Sequence, residues 1–456
     1  MKEVDEAVNK FLAGRIWHRE HIPFPIEQID RLISEKQITL MRGITTKKAV
    51  FGIKHFCNRC HNDNQSLFTH FDCAKCKGPC TYCRNCLKMA RVSNCTELAI
   101  WSGEALQFPT EHRLDWHSEL TNLQQQASDE LIASHKQKKS HLISAVCGAG
   151  KTEIIFEPIA YCLKRGERIC LAAPRVDVIL ELEPRLRAAF PETTIDVLYG
   201  GQKPSLEPTQ LILATTHQLY RFHEAFDALF IDEADAFPYT ADVTLQRAVQ
   251  KAAKPNAPIH FITATPSQKL LQDANKRKAL SELPRRYHGH PLPMPTFTAL
   301  WRYQQQINKG KLPKVLRQWI EKCLQNKQPF LLFFHHIQLM NEALPLIQAL
   351  DPKVEAVHAA HPDRKQFVVE LRNKERPGLL TTTILERGIT IRNVQVAVIG
   401  AEQSIFTKSA LIQIGGRVGR SKDAPAGDFI LFHHGISYAM DDAKKEIAKL
   451  NVKGGF

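Results

Sequence analysis

Residues 145–152 read AVCGAGKT and come directly after the apolar run 141–144. The phrase matches the phosphate-binding loop pattern GxxxxGK[ST], except that Ala145 stands at the first glycine. A strand before the loop and a helix after it are the context in which this pattern binds phosphate, and a chance glycine-rich turn would lack both. The stretch therefore predicts a nucleoside triphosphate site on a strand–loop–helix unit.

Five residues of this loop are candidate ligands. Gly148, Ala149 and Gly150 are small enough for backbone N–H groups to curl around phosphates at the helix N-terminus. We expect Lys151 to reach the outer phosphates and the Thr152 hydroxyl to ligate Mg²⁺. Together they predict ATP binding.

An acidic motif follows farther along the chain, where the apolar run 228–231 ends in DEAD at 232–235. Two carboxylates at the end of a strand have distinct tasks in such a site. We expect Asp232 to hold Mg²⁺, usually through water, and Glu233 to orient and deprotonate the attacking water. An exposed acidic turn is the alternative, and the independent phosphate loop upstream counts against it. The two motifs together predict hydrolysis of the nucleotide.

A glycine- and arginine-rich phrase, QIGGRVGR at 413–420, offers cations for the same reaction. We expect Arg417 and Arg420 on one face of a helix, because their spacing is three residues. Guanidinium groups suit the charge on a transferring γ-phosphoryl group, so both are candidate arginine fingers, with Gln413 as a further catalytic candidate. A solvated cationic turn is the alternative for this segment taken alone.

Apolar, strand-like runs alternate with amphipathic helical stretches around these motifs. The first series is 141–146, 168–173, 209–214, 228–231 and 259–263, and the second is 330–334, 354–357, 379–382, 394–399 and 428–432. Such alternation predicts parallel sheets in an α/β fold. A proline- and cation-rich stretch, LPRRYHGHPLPMP at 283–295, separates the two series and predicts a linker between two lobes.

The changes in texture along the chain predict the domain boundaries. We expect an N-terminal segment at 1–50, a cysteine module at 51–110, a first lobe at 111–284, a linker at 285–297 and a second lobe at 298–456. The N-terminal segment shows only weak helical patterning, broken by Pro23 and Pro25, and carries no recognisable chemistry.

Eight of the twelve cysteines lie between Cys57 and Cys95, in a segment too poor in aliphatic residues to bury its own core. A reducing compartment turns such a cluster toward metal rather than disulfides. Two CxxC pairs, Cys57 with Cys60 and Cys83 with Cys86, have the spacing of a structural zinc site. The pair formed by Cys73 and Cys76 makes an equally plausible knuckle, and Cys80 and Cys95 are also present. Zinc is predicted, while one ion or two remains open.

Charge and hydropathy narrow the class of protein. The 61 Lys and Arg residues exceed the 47 Asp and Glu residues, which leaves a net charge of +14 and suggests a polyanionic partner. A merely basic enzyme surface is the alternative. No apolar run approaches the roughly 18 residues of a membrane span, and the N-terminus is too acidic for a secretion signal. We therefore predict a cytoplasmic protein.

The order of these motifs resembles that of superfamily two nucleic-acid helicases and translocases. The matching segments are 145–152 (motif I), 173–175 (Ia), 215–218 (Ib), 232–235 (II), 263–265 (III), 381–388 (V) and 413–420 (VI). The resemblance implies two tandem RecA-like lobes that bind ATP in their cleft and grip a single strand by its phosphates. It also implies that Gln124 reads adenine and that Gly388 lies at the nucleotide. The candidate nucleic-acid contacts are Arg175, Thr215, Thr216, His217 and Thr382.

A narrower resemblance is to the ComFA family of late competence proteins of Gram-positive bacteria. It rests on the four-cysteine module and on the phrases AVCGAGKTE, APRVDVILEL, LYGG, ATTHQL, IDEADAFPY, TTTILERG and GAEQSIFT. The phrases CNRC and YCRNC imply that zinc is bound by Cys57, Cys60, Cys83 and Cys86.

Membership of this family implies an ATPase stimulated by single-stranded DNA at the inner face of the membrane. There it would help to drive DNA import through the ComEC channel, with ComFC and DprA as partners. The association with the membrane would then be peripheral.

Two other functions deserve comparison. A PriA-like replication-restart helicase also joins cysteine knuckles to this ATPase, but its knuckles interrupt the second half, whereas here they precede the phosphate loop. An ATP-gated, zinc-bearing scaffold of a DNA-uptake complex would use the same motifs to exchange partners. A restriction-type nuclease is disfavoured because we find no separate nuclease motif outside the lobes.

Overall fold

A computed structural model describes residues 2–49, 52–202 and 205–456. The strands, in chain order, are β1 Ile16–His18, β2 Ile38–Arg42, β3 Ile44–Ala49, β4 Gly52–Cys57, β5 Phe68–Cys73, β6 Gly78–Cys83, β7 Val92–Ser93, β8 Glu97–Trp101, β9 Leu142–Ala145, β10 Ile169–Ala173, β11 Ile195–Leu198, β12 Leu211–Thr215, β13 Ala228–Asp232, β14 Ile259–Thr263, β15 Leu280–Leu283, β16 Thr296–Ala299, β17 Phe330–Phe334, β18 Glu355–Val357, β19 Gly378–Thr381, β20 Gln395–Ile399 and β21 Phe429–His433.

Helices connect most of these strands. They are α1 Lys2–Leu12, α2 Ile26–Ser34, α3 Asn122–Lys136, α4 Lys151–Ile154, α5 Phe156–Leu163, α6 Val176–Ala189, α7 Val243–Ala252, α8 Gln268–Arg277, α9 Tyr303–Asn308, α10 Lys314–Gln325, α11 Ile337–Gln348, α12 Arg364–Arg372, α13 Lys408–Gly415 and α14 Tyr438–Lys453. Short 3₁₀ turns occupy Arg19–His21, Gln65–Leu67, Arg84–Met89, Thr216–Arg221 and Thr383–Glu386. Among the described residues, no helix combines the length and the apolar character needed to cross a membrane.

The first lobe is built on a parallel sheet with the strand order β11-β12-β10-β13-β14-β9-β15. Its central strands β10, β12 and β13 are buried along their whole length, as expected for a sheet covered on both faces by helices. The five strands predicted for this lobe are confirmed. The edge strands β11 and β15 are additional, because their short sequences carry little apolar signal.

The second lobe repeats this design with the parallel order β16-β21-β20-β17-β19-β18. Strands β17 and β20 lie at its centre and are fully buried. The five predicted strands are again confirmed, and the edge strand β16 is additional. The chain crosses from one lobe to the other between Leu283 and Thr296.

The N-terminal region is more interwoven than its sequence suggests. Strands β1 and β2, from the predicted segment 1–50, pair antiparallel with β8, which ends at Trp101. The predicted boundary at residue 50 therefore does not separate two folding units, since one sheet draws strands from both sides of it. Strands β3 and β4 form a two-stranded antiparallel sheet, and β5, β6 and β7 form a three-stranded one; both carry cysteines.

The cysteine region packs against the first lobe. Cys57, Cys60, Cys83 and Cys86 belong to one apolar cluster with residues of the first lobe's sheet and helices. Asn85 Nδ2 donates hydrogen bonds to Thr244 Oγ1 at 3.0 Å and to the Tyr220 hydroxyl at 3.3 Å. Because Tyr220 lies in the 3₁₀ turn that carries motif Ib, the module is attached directly behind a predicted DNA-binding segment.

Candidate functional site

The phosphate loop follows the C-terminal end of β9 in the sheet of the first lobe and leads into α4 at Lys151. Gly148 and Gly150 have φ values of 84° and 72°, which favour glycine over other residues. A Cβ added at Gly150 would also displace the Gln124 side-chain amide from the loop. Ala145, in contrast, is the last residue of β9 and pairs with Leu283, so a side chain is accommodated in place of the first glycine.

Gln124 joins the loop to the helix before it. Its Nε2 donates to the Ala149 carbonyl oxygen at 2.9 Å, and its Oε1 accepts from the backbone N–H of Thr121 at 2.9 Å. The second bond is half of a capping box that begins α3. Gln124 therefore lies at the nucleotide loop, with its amide used to hold the loop against α3.

Asp232 and Glu233 follow at the end of β13, the neighbour of β14 and β10 in the sheet. Asp232 is 8% exposed and accepts a hydrogen bond from the Glu233 backbone N–H at 2.9 Å. Burial, and then the Glu233 carboxylate, raise the pKa of Asp232 to about 7, although Lys151 opposes the shift. Glu233 has a φ of 51°, and its buried Oε2 accepts no hydrogen bond from any described residue, although Arg387 Nη1 lies 3.6 Å away. A buried carboxylate oxygen of this kind is suited to a water or a cation.

Asp235 links the two lobes. It accepts hydrogen bonds from Thr263 Oγ1 at 2.6 Å and from Thr265 Oγ1, both in motif III of the same lobe. From the second lobe, Arg387 donates to both of its carboxylate oxygens, at 3.2 and 2.6 Å, and Gln413 Nε2 donates at 3.4 Å. Although burial acts in the opposite direction, the Arg387 guanidinium and these hydroxyls hold the pKa of Asp235 well below its usual range.

The two candidate arginine fingers are not on a helix, so that prediction is wrong. Helix α13 ends at Gly415, and Arg417 and Arg420 lie in the turn that follows. The glycines permit this turn to approach the phosphate loop, since a Cβ at Gly416 would lie 2.4 Å from Cys147 Cβ. Arg417 Nε donates to the Glu386 carbonyl oxygen at 2.9 Å, and Arg420 Nη1 donates to Thr390 Oγ1 at 3.2 Å.

Burial, and then the neighbouring Arg420 charge, lower the pKa of Arg417 to about 9. The two guanidinium groups are thus held by residues 386–390, in and just after motif V, and both line the same cavity as the phosphate loop.

A cavity of about 530 Å³ lies between the lobes and brings the predicted nucleotide residues together. Its lining includes Gln124, Gly148, Gly150, Lys151, Thr152, Asp232, Glu233, Gly388, Gln413, Arg417 and Arg420. Ala149 lines an adjoining pocket together with Gln124 and Tyr287. The volume suits a nucleotide-sized ligand.

The predicted nucleic-acid contacts are distributed differently. The Thr215 and Thr216 side chains are buried, with exposed fractions of 4% and 0%, so their hydroxyls do not face solvent. His217 is exposed and Thr382 is half-buried. Arg175 forms an ion pair with Glu386 at 3.2 Å and also donates to the Ile384 carbonyl oxygen at 2.9 Å. Arg175 thus crosses from the first lobe to motif V.

The four cysteines of the family phrases converge in a buried group. Every sulfur of Cys57, Cys60, Cys83 and Cys86 lies within 4.8 Å of the other three. The Cys57–Cys86 and Cys60–Cys83 sulfur distances are 3.7 and 3.6 Å. Tetrahedral Zn²⁺ with Zn–S bonds of about 2.3 Å separates its sulfurs by about 3.8 Å, so this donor set fits zinc.

Three residues near the site are missing from the sequence-based prediction. Arg387 belongs to the sequence ERG of motif V, which is the only indication of it in the sequence. Arg185 lies in none of the motifs, and its Nη1 donates to Thr152 Oγ1 at 3.2 Å. Tyr287 lies in the predicted linker and donates its backbone N–H to the Gly148 carbonyl oxygen at 3.0 Å. The linker therefore also lines the nucleotide cavity.

Comparisons with known proteins agree with this architecture. Residues 2–100 match the family model of the competence protein ComFA N-terminal domain. Residues 117–268 match the type III restriction enzyme res subunit, and residues 311–422 match the helicase conserved C-terminal domain.

Solved structures share the fold of the two lobes. S. cerevisiae Dbp5, bound to RNA and ADP BeF3, superposes with a TM-score of 0.54 at 15% identity and covers 73% of this chain and 88% of its own. Mycobacterium smegmatis helicase Lhr, bound to ssDNA and AMP-PNP, has a TM-score of 0.52 at 15% identity over 74% of this chain and 50% of its own. At such identities the likeness concerns the fold alone.

Fold, cavity and family models together define the class: the chain is a helicase-like ATPase with two RecA-like lobes. Competence protein ComFA of Bacillus subtilis (strain 168) is 40% identical over 447 residues, covering 96% of this chain and 94% of the relative. Competence protein ComFA of Streptococcus pneumoniae is 37% identical over 442 residues, covering 94% and 99%. The chain belongs to the ComFA family of competence proteins.

Proposed function

We propose that this chain is an ATPase and translocase that depends on single-stranded DNA and helps to drive the uptake of transforming DNA. The main support is the cavity lined by Lys151 and Asp232 from the first lobe and by Arg417 and Arg420 from the second. A site assembled from two lobes lets ATP binding and hydrolysis change the lobe arrangement. Family membership supports the biological setting.

In this proposal, the phosphate loop and Lys151 bind the phosphates of ATP. Asp232 and Thr152 are the residues that would hold Mg²⁺, which neutralises charge on the phosphates when bound. The donor set fits, because a buried carboxylate and a hydroxyl line the same cavity. Glu233 orients and deprotonates the attacking water through its Oε2, which accepts no hydrogen bond from the described residues and lies 3.6 Å from Arg387 Nη1.

Arg417 and Arg420 stabilise the negative charge of the transferring phosphoryl group, and Gln413 holds motif VI against Asp235. The Glu386 carbonyl oxygen of motif V accepts a hydrogen bond from Arg417, and the Thr390 hydroxyl just after motif V accepts one from Arg420. Because both arginines belong to the second lobe and the phosphate loop to the first, they reach the phosphates only when the lobes are closed. ATP turnover then moves the two lobes relative to a bound strand.

The DNA strand is proposed to lie across the C-terminal ends of β10, β12 and β19. His217, Thr382 and the backbone N–H groups after β12 are the contacts, while Arg175 couples this face to motif V through Glu386. The net charge of +14 supplies the non-specific attraction to phosphates. Zn²⁺ held by Cys57, Cys60, Cys83 and Cys86 would stabilise the module behind this face.

The ATPase rate measured with single-stranded DNA, duplex DNA and RNA tests the proposal. We expect single-stranded DNA to stimulate turnover most and Lys151→Ala to abolish it, because the cation facing the phosphates is lost. Lys164→Ala, at an exposed lysine after α5, serves as the matched control and keeps the parent rate. Turnover that is indifferent to DNA, or that survives Lys151→Ala, contradicts the proposal.

The partners are likewise a proposal that rests on family membership: ComFC, DprA and the ComEC channel, with peripheral attachment at the inner face of the membrane. Pull-down of each partner in the presence and absence of ATP tests it. Directed movement along single-stranded DNA supports a motor. ATP-dependent exchange of partners without such movement favours an assembly scaffold instead.

A further inference from the structure

Four cysteines that the family phrases leave out form a second group in the N-terminal region. Every sulfur of Cys73, Cys76, Cys80 and Cys95 lies within 4.8 Å of the other three, and this group shares no cysteine with the first. The donors come from three places: the β5–β6 turn with the strand ends beside it, strand β6 itself, and the turn before β8. Residues distant in sequence are thus brought to one point.

The sulfur separations distinguish a metal site from disulfides. Cys95 Sγ lies 3.8 Å from Cys73 Sγ and 3.8 Å from Cys80 Sγ. A disulfide requires about 2.0 Å, whereas tetrahedral zinc with Zn–S bonds of about 2.3 Å requires about 3.8 Å between sulfurs. The second group therefore has the spacing of a zinc tetrahedron and matches the 3.6 and 3.7 Å of the first group.

The surroundings of the second group suit a tetrathiolate centre. Ser93 Oγ lies 3.3 Å from Cys95 Sγ, within hydrogen-bond distance for a sulfur ligand. Lys75 and Lys77 lie in the same turn as Cys76, and their charges offset the excess negative charge of four thiolates around a divalent ion. Lys75 is also paired with Glu20, which ties the turn to the region before α2.

The hairpin also needs such a crosslink. The β5–β6 hairpin pairs Phe71 with Cys80 and Cys73 with Gly78. Phe71 is half-buried and packs under Arg91, whose guanidinium lies 4.5 Å from the ring centre. The hairpin end thus has too little apolar burial to be held by a core, and small domains of this kind rely on metal.

We propose that Cys73, Cys76, Cys80 and Cys95 bind a second Zn²⁺, which fixes the end of the β5–β6 hairpin to the turn before β8. Strand β6 then carries one ligand of each site, Cys80 for the second and Cys83 for the first. Because Cys76 is exposed while all four cysteines of the first group are buried, the second ion exchanges faster than the first. The proposal is independent of the ATPase mechanism.

Zinc content per chain, measured on the full-length protein purified under reducing conditions, tests this proposal. We expect two ions in the parent and one in the double variant Cys73→Ser/Cys76→Ser. The control variant Cys323→Ser, in α10 of the second lobe, keeps two. In the parent, titration of the thiols with a mercurial should release zinc in two steps, the faster one belonging to the exposed site.

The same measurements can overturn the proposal. A parent protein with one zinc ion, in which an alkylating reagent modifies Cys73, Cys76, Cys80 and Cys95 at the rate of free thiols, contradicts it. So does an intact mass that reveals disulfides among these four residues. If the double variant does not fold, cobalt substitution of the parent decides the matter, since two tetrathiolate sites give twice the sulfur-to-cobalt absorption of one.

Discussion

Removal of the Arg387 guanidinium is expected to open the lobes. Arg387 is 3% exposed, donates two hydrogen bonds to Asp235, and lies 3.6 Å from Glu233 Oε2. Asp235 belongs to the first lobe and Arg387 to the second, so this ion pair exists only when the lobes are closed. The variant Arg387→Ala removes it and leaves the fold of each lobe intact.

The magnitude follows from these contacts. A hydrogen bond between charged groups contributes about 1.5–3 kcal/mol. Two such bonds, partly offset by hydration of both charges when the lobes separate, leave about 2–4 kcal/mol for closure. Since about 1.4 kcal/mol is tenfold in an equilibrium constant, the ratio of closed to open molecules falls about 30- to 700-fold. We expect kcat/KM for ATP in the presence of single-stranded DNA to fall by a factor in this range.

Steady-state ATPase kinetics and small-angle scattering with a non-hydrolysable ATP analogue measure the two consequences. The variant should have a larger radius of gyration than the parent with the analogue bound. Burial raises the pKa of Asp235, but the Arg387 charge and the threonine hydroxyls outweigh it, so that pKa lies well below its usual range. The pair therefore stays ionised from about pH 6 to 9, and the fold-loss of kcat/KM in the variant should not vary with pH in this range.

The control is Arg392→Ala, which removes an exposed arginine of the same lobe paired with Asp423 at 3.0 Å. Exposed pairs contribute about 0–1 kcal/mol, so this variant should stay within about fivefold of the parent. A double-mutant cycle of Arg387→Ala with Asp235→Asn isolates the pair. A coupling energy below about 0.5 kcal/mol, or equal losses for Arg387→Ala and Arg392→Ala, would refute the reasoning.

Three further variants probe other contacts. Gly388→Ala should lower kcat about tenfold, because the residue has a φ of 69° and its new Cβ would lie 2.8 Å from Asp177 Cβ across the lobe interface. An unchanged kcat in the ATPase assay contradicts this prediction. Gln124→Ala should raise KM for ATP about three- to thirtyfold, because the helix cap and the bond to the phosphate loop are lost. The variant should also discriminate less between ATP and GTP. If parent and variant have equal kinetics with both nucleotides, Gln124 does not recognise adenine. Asn85→Ala removes the bond to Tyr220 and should weaken the attachment of the cysteine region to the first lobe by about 1–2 kcal/mol. Amide hydrogen exchange should then rise in the 3₁₀ turn 84–89 while ATP binding is unchanged. Unaltered exchange would show that Asn85 does not attach the cysteine region.

Much of the fold is readable locally. The fully buried central strands, such as β13 and β17, are continuous apolar runs, and their predicted positions differ from the observed ones by at most a residue or two. The edge strands β11, β15 and β16 escape prediction because half-exposed strands carry mixed side chains. The helix predicted for Arg417 and Arg420 is absent because the glycines at 415, 416 and 419 end α13 before these arginines. The turn formed instead lets the chain approach Cys147.

The sequence by itself determined the chemistry of this protein, because phosphate loops, acidic strand ends and CxxC pairs depend on residue type and short spacing. Tertiary structure alone decided which distant residues meet. Arg387 reaches Asp235 across 152 positions, and the eight cysteines between Cys57 and Cys95 form two separate groups of four. Neither contact can be predicted from short sequence spacings, because each forms only when separate strands and lobes pack together. Packing buries the Arg387 and Asp235 charges, which then pair with each other, and it buries thiols that a metal can bind.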